Sequence, residues 1–443
     1  MATIHHLSGP ATKSELDIFI VPSTQMAITA CHNQTILPLT NVSNDGKRIE
    51  CLIPPMSDYI DLANLYLSTE CRVKKVTNAG VVNLAGPIAA VAASGSIAAV
   101  PAVPYDKVLP NQYFLNTMFS NIELYFGNHR ITTQNNMYYI KAYEDVLFFA
   151  RREAKDTYLK GAMWDTDDNR IEMVRESKLV QLYGRLHLDM CQQPKLLIPN
   201  IPIRIVFYLN SDAVNFKAMN NNITPKLMLS EMKLHIRKYS VDDSVKIGIE
   251  SGLQTADAKY FITRGEPYHL TIPTGVTKHT IDGAIKAILP RLFIVSLMPN
   301  VDYSGSFSTD SLKFNHCNIK SVAAYRGGQL INGTPFEPDY ANDLYIREYV
   351  DLYRALGQDT SEPKMNISYA DYKNNSCFYA FNLTPDCSSS GADEGMVNLL
   401  QSDSIQLEFG FTASTTVTHS VIIYCLYDNL VSISSIREPR LDY

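Results

Sequence analysis

His187 and Asp189, in the run Gly184-Arg-Leu-His-Leu-Asp189, have the residue types and the spacing of a general base and the carboxylate that orients it. On a β-strand, residues two apart share a face, so such a pair could move a proton there. The sequence ties no Ser or Cys nucleophile to them, and the simpler reading is a polar pair on a strand surface. Trp164-Asp-Thr-Asp-Asp-Asn169 spaces its carboxylates as a cation-binding loop does. It lacks the glycine and the distal glutamate of an EF-hand and reads as a solvated acidic turn. His316-Cys317 sets two zinc-type ligands side by side, with no second pair to complete a tetrahedron. The eight cysteines (Cys31, Cys51, Cys71, Cys191, Cys317, Cys377, Cys387 and Cys425) form no C-x-x-C pair and read as buried free thiols. No P-loop, G-x-S-x-G or H-E-x-x-H motif occurs. The sequence therefore assigns no catalytic, cofactor-binding or metal-ligating residue, requires no cofactor, and points away from an enzyme.

The elements that would position such residues are mostly strands. Apolar residues recur at every second position in Ile122-Glu-Leu-Tyr-Phe126, at Ile203, Ile205, Phe207 and Leu209, and at Met232, Leu234 and Ile236. The same holds for Tyr268, Leu270 and Ile272, for Ile405, Leu407, Phe409 and Phe411, and for Val421, Ile423, Cys425 and Tyr427. Period two predicts strands with one face on a core. Helical spacing is confined to Met137–Lys160, to Tyr345–Leu356, and to a connecting helix from Asp242-Asp243 through Glu250, ending near Gly252. The aromatic anchors of the first two, Tyr139, Tyr143, Tyr345 and Tyr349, read as core. Val76 to Tyr105 carries no charge and is long enough to span a bilayer, but Gly86-Pro87, Ser94-Gly-Ser96, Pro101 and Pro104 interrupt it. It reads as a surface loop. Met1 to Pro10 is polar and carries no apolar signal core.

A chain of 443 residues is too long for one core and predicts two domains of roughly 200 residues. We place an N-terminal domain with a short arm at 1–240, a linker at 241–258, and a C-terminal domain at 259–443. The 26 Tyr and 17 Phe favour pleated surfaces, and the 22 Pro and 21 Gly punctuate turns. Residues 1–240 carry 24 Lys/Arg against 21 Asp/Glu, whereas 241–443 carry 15 against 24. A near-neutral half and an acidic half suit side-by-side contact between unlike halves of neighbouring chains. With no basic tail or Lys/Arg run, direct sequence-specific nucleic-acid binding is not expected.

Self-comparison shows an internal duplication. Tyr125, Gly127 and Ile131 lie 200 residues before Tyr325, Gly327 and Ile331. Further on, Tyr139-Ile-Lys-Ala-Tyr-Glu-Asp145 echoes Tyr345-Ile-Arg-Glu-Tyr-Val-Asp351 at an offset of 206, so six residues entered the loop between. Each copy reads as a hairpin followed by a helix, giving two copies of one fold.

Several blocks, in order, resemble a known family. They are Lys13-Ser-Glu-Leu-Asp-Ile-Phe-Ile-Val-Pro-Ser-Thr-Gln25, Tyr59-Ile-Asp-Leu-Ala-Asn64, the unit from Phe119 to Ala150, and Gly184 to Asp189. The second half adds Phe314-Asn-His316 with Asn318, Pro338-Asp-Tyr340, Tyr345-Ile-Arg347, Phe378-Tyr-Ala-Phe-Asn-Leu-Thr-Pro-Asp386 and Leu441-Asp-Tyr443. Together they resemble the double jelly-roll major capsid proteins of Polinton (Maverick) elements and adintoviruses. The stretch around Val76 to Tyr105 is longer than that pattern. The resemblance implies an all-β chain of two tandem eight-stranded jelly-roll β-sandwiches with short helices in the connecting loops. It implies a virion structural protein that forms pseudo-hexameric homotrimers tiling an icosahedral shell around a double-stranded DNA genome, assembled inside the host cell. The implied partners are neighbouring capsomers, a penton protein and minor capsid proteins, and an internal membrane is left open. The competing reading is a cellular or secreted β-sandwich that binds a ligand as lectins do, because jelly rolls serve that role too.

Overall fold

The computed structural model describes residues 7–442 except 10–12, 17, 20, 41, 43–47, 87–104, 134, 221–222, 361 and 389–396. Most of the uncharged Val76 to Tyr105 stretch thus lies outside the described residues.

Eight strands build a first sandwich: β1 (Ile28–Ile36), β2 (Arg48–Ile53), β3 (Tyr59–Thr77), β4 (Phe119–Phe126), β5 (His129–Arg130), β6 (Val180–Arg185), β7 (Ile203–Leu209) and β8 (Pro225–Val241). Eight more build a second: β9 (Ala258–Ile272), β10 (Lys278–Ile288), β11 (Leu292–Pro299), β12 (Ile319–Arg326), β13 (Gln329–Leu330), β14 (Phe378–Asn382), β15 (Ser402–Phe411) and β16 (His419–Ile433). Three helices matter below: α1 (Tyr138–Phe149), α2 (Asp243–Leu253) and α3 (Ile346–Ala355). The first sandwich pairs β1-β8-β3-β6 in one sheet and β2-β7-β4-β5 in the other. The second pairs β9-β16-β11-β14 and β10-β15-β12-β13. Every one of these strands is antiparallel to its neighbours, and each strand of the second sandwich stands where the strand eight places earlier stands in the first. First strand beside eighth, and third between eighth and sixth, is jelly-roll order. The chain is a double jelly roll.

The duplication reaches single backbone atoms. Gly127 and Gly327 both turn their hairpins at positive φ, 60° and 54°, which glycine adopts without a Cβ clash. After each turn, the Ile131 amide donates to the Leu124 carbonyl at 2.8 Å, and the Ile331 amide to the Ala324 carbonyl at 3.0 Å. Each copy also carries the same bulge. The register of β4 on β7 jumps from Phe119 to Asn121, and that of β12 on β15 from Ile319 to Ser321.

The alternation predicted from sequence is clearest in β8. Leu227 and Leu229 point inward, the register slips at Ser230, and the inward set continues at Met232, Leu234 and Ile236. One extra residue flips the parity, so the core face is kept across the bulge. The expectation of a single buried face fails for β16, and β11 beside it is likewise buried on both faces. In β16 every residue from His419 to Tyr427 is buried, because a helix covers the outer side of its sheet. That helix is α1. It is shorter than the spacing of Met137–Lys160 suggests: Ala150 is extended, and the chain restarts as a separate turn at Arg152–Asp156. The break falls where the buried face ends and the exposed Arg151 and Arg152 begin. The connecting helix α2 forms as expected, with the Asp242 side chain accepting the Ser244 amide at 2.9 Å. Five cysteines are buried as expected, and Cys317 is half-buried. Cys31 and Cys387 are exposed, against expectation: Cys31 sits on the outer face of edge strand β1, and Cys387 in a loop.

The two cores exchange side chains. Tyr139, Ile140, Tyr143, Leu147 and Phe148 of α1 follow the first sandwich's hairpin yet belong to the core of the second. In return Leu253, Tyr260, Ile262, Val431 and Ile433 join the core of the first. Each large apolar side chain so buried contributes about 1.5–3 kcal/mol that neither sandwich keeps alone. Calorimetry of the intact chain is therefore expected to show one cooperative unfolding transition. Two resolved transitions would contradict the exchange.

Candidate functional site

The chemically interesting residues converge on the seam between the sandwiches, and α1 brings them there. Eleven of its twelve residues are buried, Lys141, Glu144 and Asp145 among them. Buried charges must be paired or neutralised. The Asp145 carboxylate accepts from the Tyr424 hydroxyl on β16 of the other sandwich, lies 3.5 Å from His187 Nδ1, and accepts from Gln192 Nε2 at 3.4 Å. Lys141 Nζ donates to Asp189, whose carboxylate also accepts the Gly265 amide of β9 at 3.3 Å. Gly265 has to be glycine: a Cβ there would collide with the Tyr424 hydroxyl on its way to Asp145.

Burial alone would raise the Asp145 carboxyl, but the His187 imidazole and the Lys141 ammonium outweigh it and hold it below the usual range. Burial likewise works against the Lys141 charge, and Asp189 and Asp145 overcome it. One ammonium serves two carboxylates. Asp189, the less supported of the two, is pushed up by burial that Lys141 only partly offsets. Glu144 has no such partner. Burial, then the neighbouring Asp145, push it well above the carboxylate range, and its Oε2 meets no hydrogen-bonding group.

His187 and Asp189 are thus in one network, but not as a pair on a strand. β6 ends at Arg185, and 189–191 form a 3-10 turn, so the period-two geometry stops before them. His187 Nε2 meets the Tyr113 hydroxyl at 2.9 Å and its amide donates to the Tyr138 hydroxyl at 3.1 Å. Asp145, His187 and Tyr113 line up as an acid, a base and a hydroxyl, but burial raises the Tyr113 pKa and keeps that hydroxyl protonated. The adjoining cavity of about 30 Å³ admits a water and no substrate. The arrangement fastens the sandwiches together.

The other candidates lie apart from it. Asp165 accepts the Thr166 amide at 2.8 Å and Asn169 Nδ2 at 2.9 Å, and Asp167 pairs with Arg170, so the acidic run starts the helix Asp167–Val174. His316 stacks on Tyr340 at 4.5 Å and accepts the Asn318 amide at 3.1 Å. Among the described residues no group of three His, Cys, Asp or Glu side chains is placed to hold a metal, and no helix is long and apolar enough to cross a membrane.

Sequence reasoning missed the fasteners. Trp164 stacks on Tyr143 at 5.7 Å and packs against both cores. Lys155 Nζ donates to the Leu147 carbonyl at 2.8 Å and across the seam to Lys364 O at 3.2 Å, and burial pushes its ammonium down to about 8. Gln358 Nε2 donates to the Phe148 carbonyl at 2.8 Å, capping the end of α1 from the other sandwich. One signal was available: a helix apolar nearly all round, with Lys, Glu and Asp embedded in it.

With that geometry established, comparison with known proteins shows which folds share it. No protein-family model matches the chain. Among curated proteins, the uncharacterized protein F54H12.2 of Caenorhabditis elegans is 19% identical over 345 residues, 75% of this chain and 81% of that one. Among solved structures, the Sputnik virophage cryo-EM structure matches with a TM-score of 0.64 at 10% identity, over 100% of this chain and 94% of the other. The VP54 protein of PBCV-1 matches at 0.60 and 12% identity, over 96% and 99%. The mavirus major capsid protein matches at 0.52 and 10%, over 100% and 97%. The fold, from end to end, is that of double jelly-roll viral major capsid proteins.

Two measurements probe the seam. Tyr424→Phe removes one donor from Asp145 and is expected to cost about 1–3 kcal/mol in denaturant unfolding. Asp145→Asn strips Lys141 of a counter-charge and is expected to cost about 3–5 kcal/mol. Losses under about 0.5 kcal/mol for both would contradict the network. Glu144 has the opposite sign. Its folded pKa is raised, so its contribution is fully present below the unfolded glutamate value and is lost as pH rises toward the folded one. Glu144→Gln should therefore raise the unfolding midpoint more at pH 8 than at pH 5. An equal shift at both would contradict a neutral buried carboxyl.

Proposed function

We propose that this chain is a major capsid protein of the Polinton (Maverick) and adintovirus kind, a self-assembling shell component without catalytic activity. The observation that carries this is the complete double jelly roll, matched over nearly the full length of both chains in the viral structures. A jelly roll alone fits many roles. Two of them fused by a buried seam, whose central polar network adjoins a cavity of only about 30 Å³, suit a rigid building block. In this reading residues 1–240 and 259–443 are the two jelly rolls and 241–258 joins them. Three chains form a pseudo-hexameric homotrimer with six similar sandwiches around a ring, and trimers tile an icosahedral shell around a double-stranded DNA genome. Neighbouring capsomers, a penton protein and minor capsid proteins are the partners. The shell is assembled in the host cell and resides in the virion.

Two further features support the reading. Before β1, Leu16, Ile18, Phe19, Val21 and Met26 are each at least 70% exposed. No described residue covers this run, and such exposed apolar surface suits contact with a neighbouring chain. A relative of 19% identity in Caenorhabditis elegans is compatible with chains of this kind being carried in an animal genome.

Sedimentation of the purified chain is expected to give a species of three chains at micromolar concentration that persists on dilution, as an obligate interface above about 2,000 Å² would. A monomer throughout, with a saturable glycan ligand, would replace this reading with the lectin-like one.

A further inference from the structure

The duplication leaves one contact unmade. α1 and α3 are counterparts in chain order, each following the hairpin of its own sandwich. α1 lies on the outer face of the sheet β9-β16-β11-β14, where Phe148 meets Phe378 edge-on at 5.0 Å and Asp145 meets Tyr424. α3 packs on β14 of its own sandwich and keeps another side, with Ile346 and Val350, exposed. At the 206-residue offset Ile140 corresponds to Ile346, and Glu144 to Val350. Ile140 is 0% exposed and Ile346 64%; Glu144 is 1% exposed and Val350 47%. Positions equivalent in the repeat are core in one copy and bare in the other.

A matching bare sheet exists. The outer face of β1-β8-β3-β6 is the first sandwich's counterpart of the sheet that α1 covers. It presents Tyr66 and Tyr183 stacked at 5.1 Å, with His235 5.6 Å from Tyr183. Tyr183 is 49% exposed. Arg185 and Arg237 flank this aromatic patch, on the near-neutral half of the chain, whereas α3 belongs to the acidic half, its own Asp351 paired with Arg347 at 3.5 Å.

We propose that α3 is the intersubunit helix. Ile346 and Val350 dock on the outer face of β1-β8-β3-β6 in a second copy of this chain, repeating between chains the contact that α1 makes within one. The contact is head-to-tail, a free helix on one chain meeting a free sheet on the next, so it propagates until a ring closes. Unlike sandwiches then meet at every junction, as the charge difference favours. This rests on the self-assembly reading above and specifies which surfaces perform it.

The test uses full-length chains: native, Ile346→Glu with Val350→Glu, and Tyr183→Glu. All three altered positions are exposed, and circular dichroism with thermal unfolding confirms that each variant folds. Mass photometry is expected to show the native oligomer, and each variant shifted to monomer by a loss of affinity of at least about 30-fold, the scale of one interface hot spot. Mixing the two variants is the sharper arm. One intact helix and one intact sheet remain, so a dimer forms and nothing larger. A monomeric native chain would overturn the assembly reading and this assignment with it. A native oligomer with both variants unshifted, or a mixture that stays monomeric, would overturn the assignment of α3 alone.

Discussion

The structure depends on one constraint: a helix carrying three charged residues is buried between two sandwiches, and every charge on it has to be answered. Asp145 is answered by Tyr424 and His187, and Lys141 by Asp189. Glu144 is left to keep its proton. Removing one partner of a buried pair costs more than the pair contributes, so this network defines a single way for the sandwiches to meet. Apolar packing alone, from Ile140, Tyr143 and Phe148, would hold them together without fixing the angle. The polar bonds set it, and Gly265 leaves the space through which Tyr424 reaches across.

Duplication explains why such a seam is useful. Two copies of one fold have equivalent surfaces, so whatever joins the first copy to the second has a counterpart seeking the same join elsewhere. Within one chain that counterpart stays open: α3 is partly bare, and so is the sheet that corresponds to the one α1 covers. A rigid seam transmits its angle to the next junction. A chain with a fixed internal angle and a repeated external one builds a closed ring rather than an open filament when the angles sum to a full turn.

Much of the fold was legible in the sequence because strands in a sandwich bury one face, and period two survives in the letters. β8 and β15 show it directly. It was not legible in β11 and β16, which are buried on both faces, because the helix that covers them lies over 140 residues away in sequence. The repeat was legible because its hairpin needs a glycine at positive φ in both copies. The site was legible only in part. His187 and Asp189 stood out as types that do chemistry, but their partners Asp145, Lys141 and Tyr424 are distant in the chain and carry no local motif. Charges within an otherwise apolar helix were the one local sign of it.

The central claim is that this double jelly roll is a shell building block whose unlike sandwiches alternate around a ring. Electron microscopy of the purified oligomer, averaged without imposed symmetry, tests it most directly. Six sandwich-sized densities are expected in a ring with three-fold symmetry, the two kinds alternating. A two-fold particle, or a ring in which like sandwiches adjoin, would contradict it.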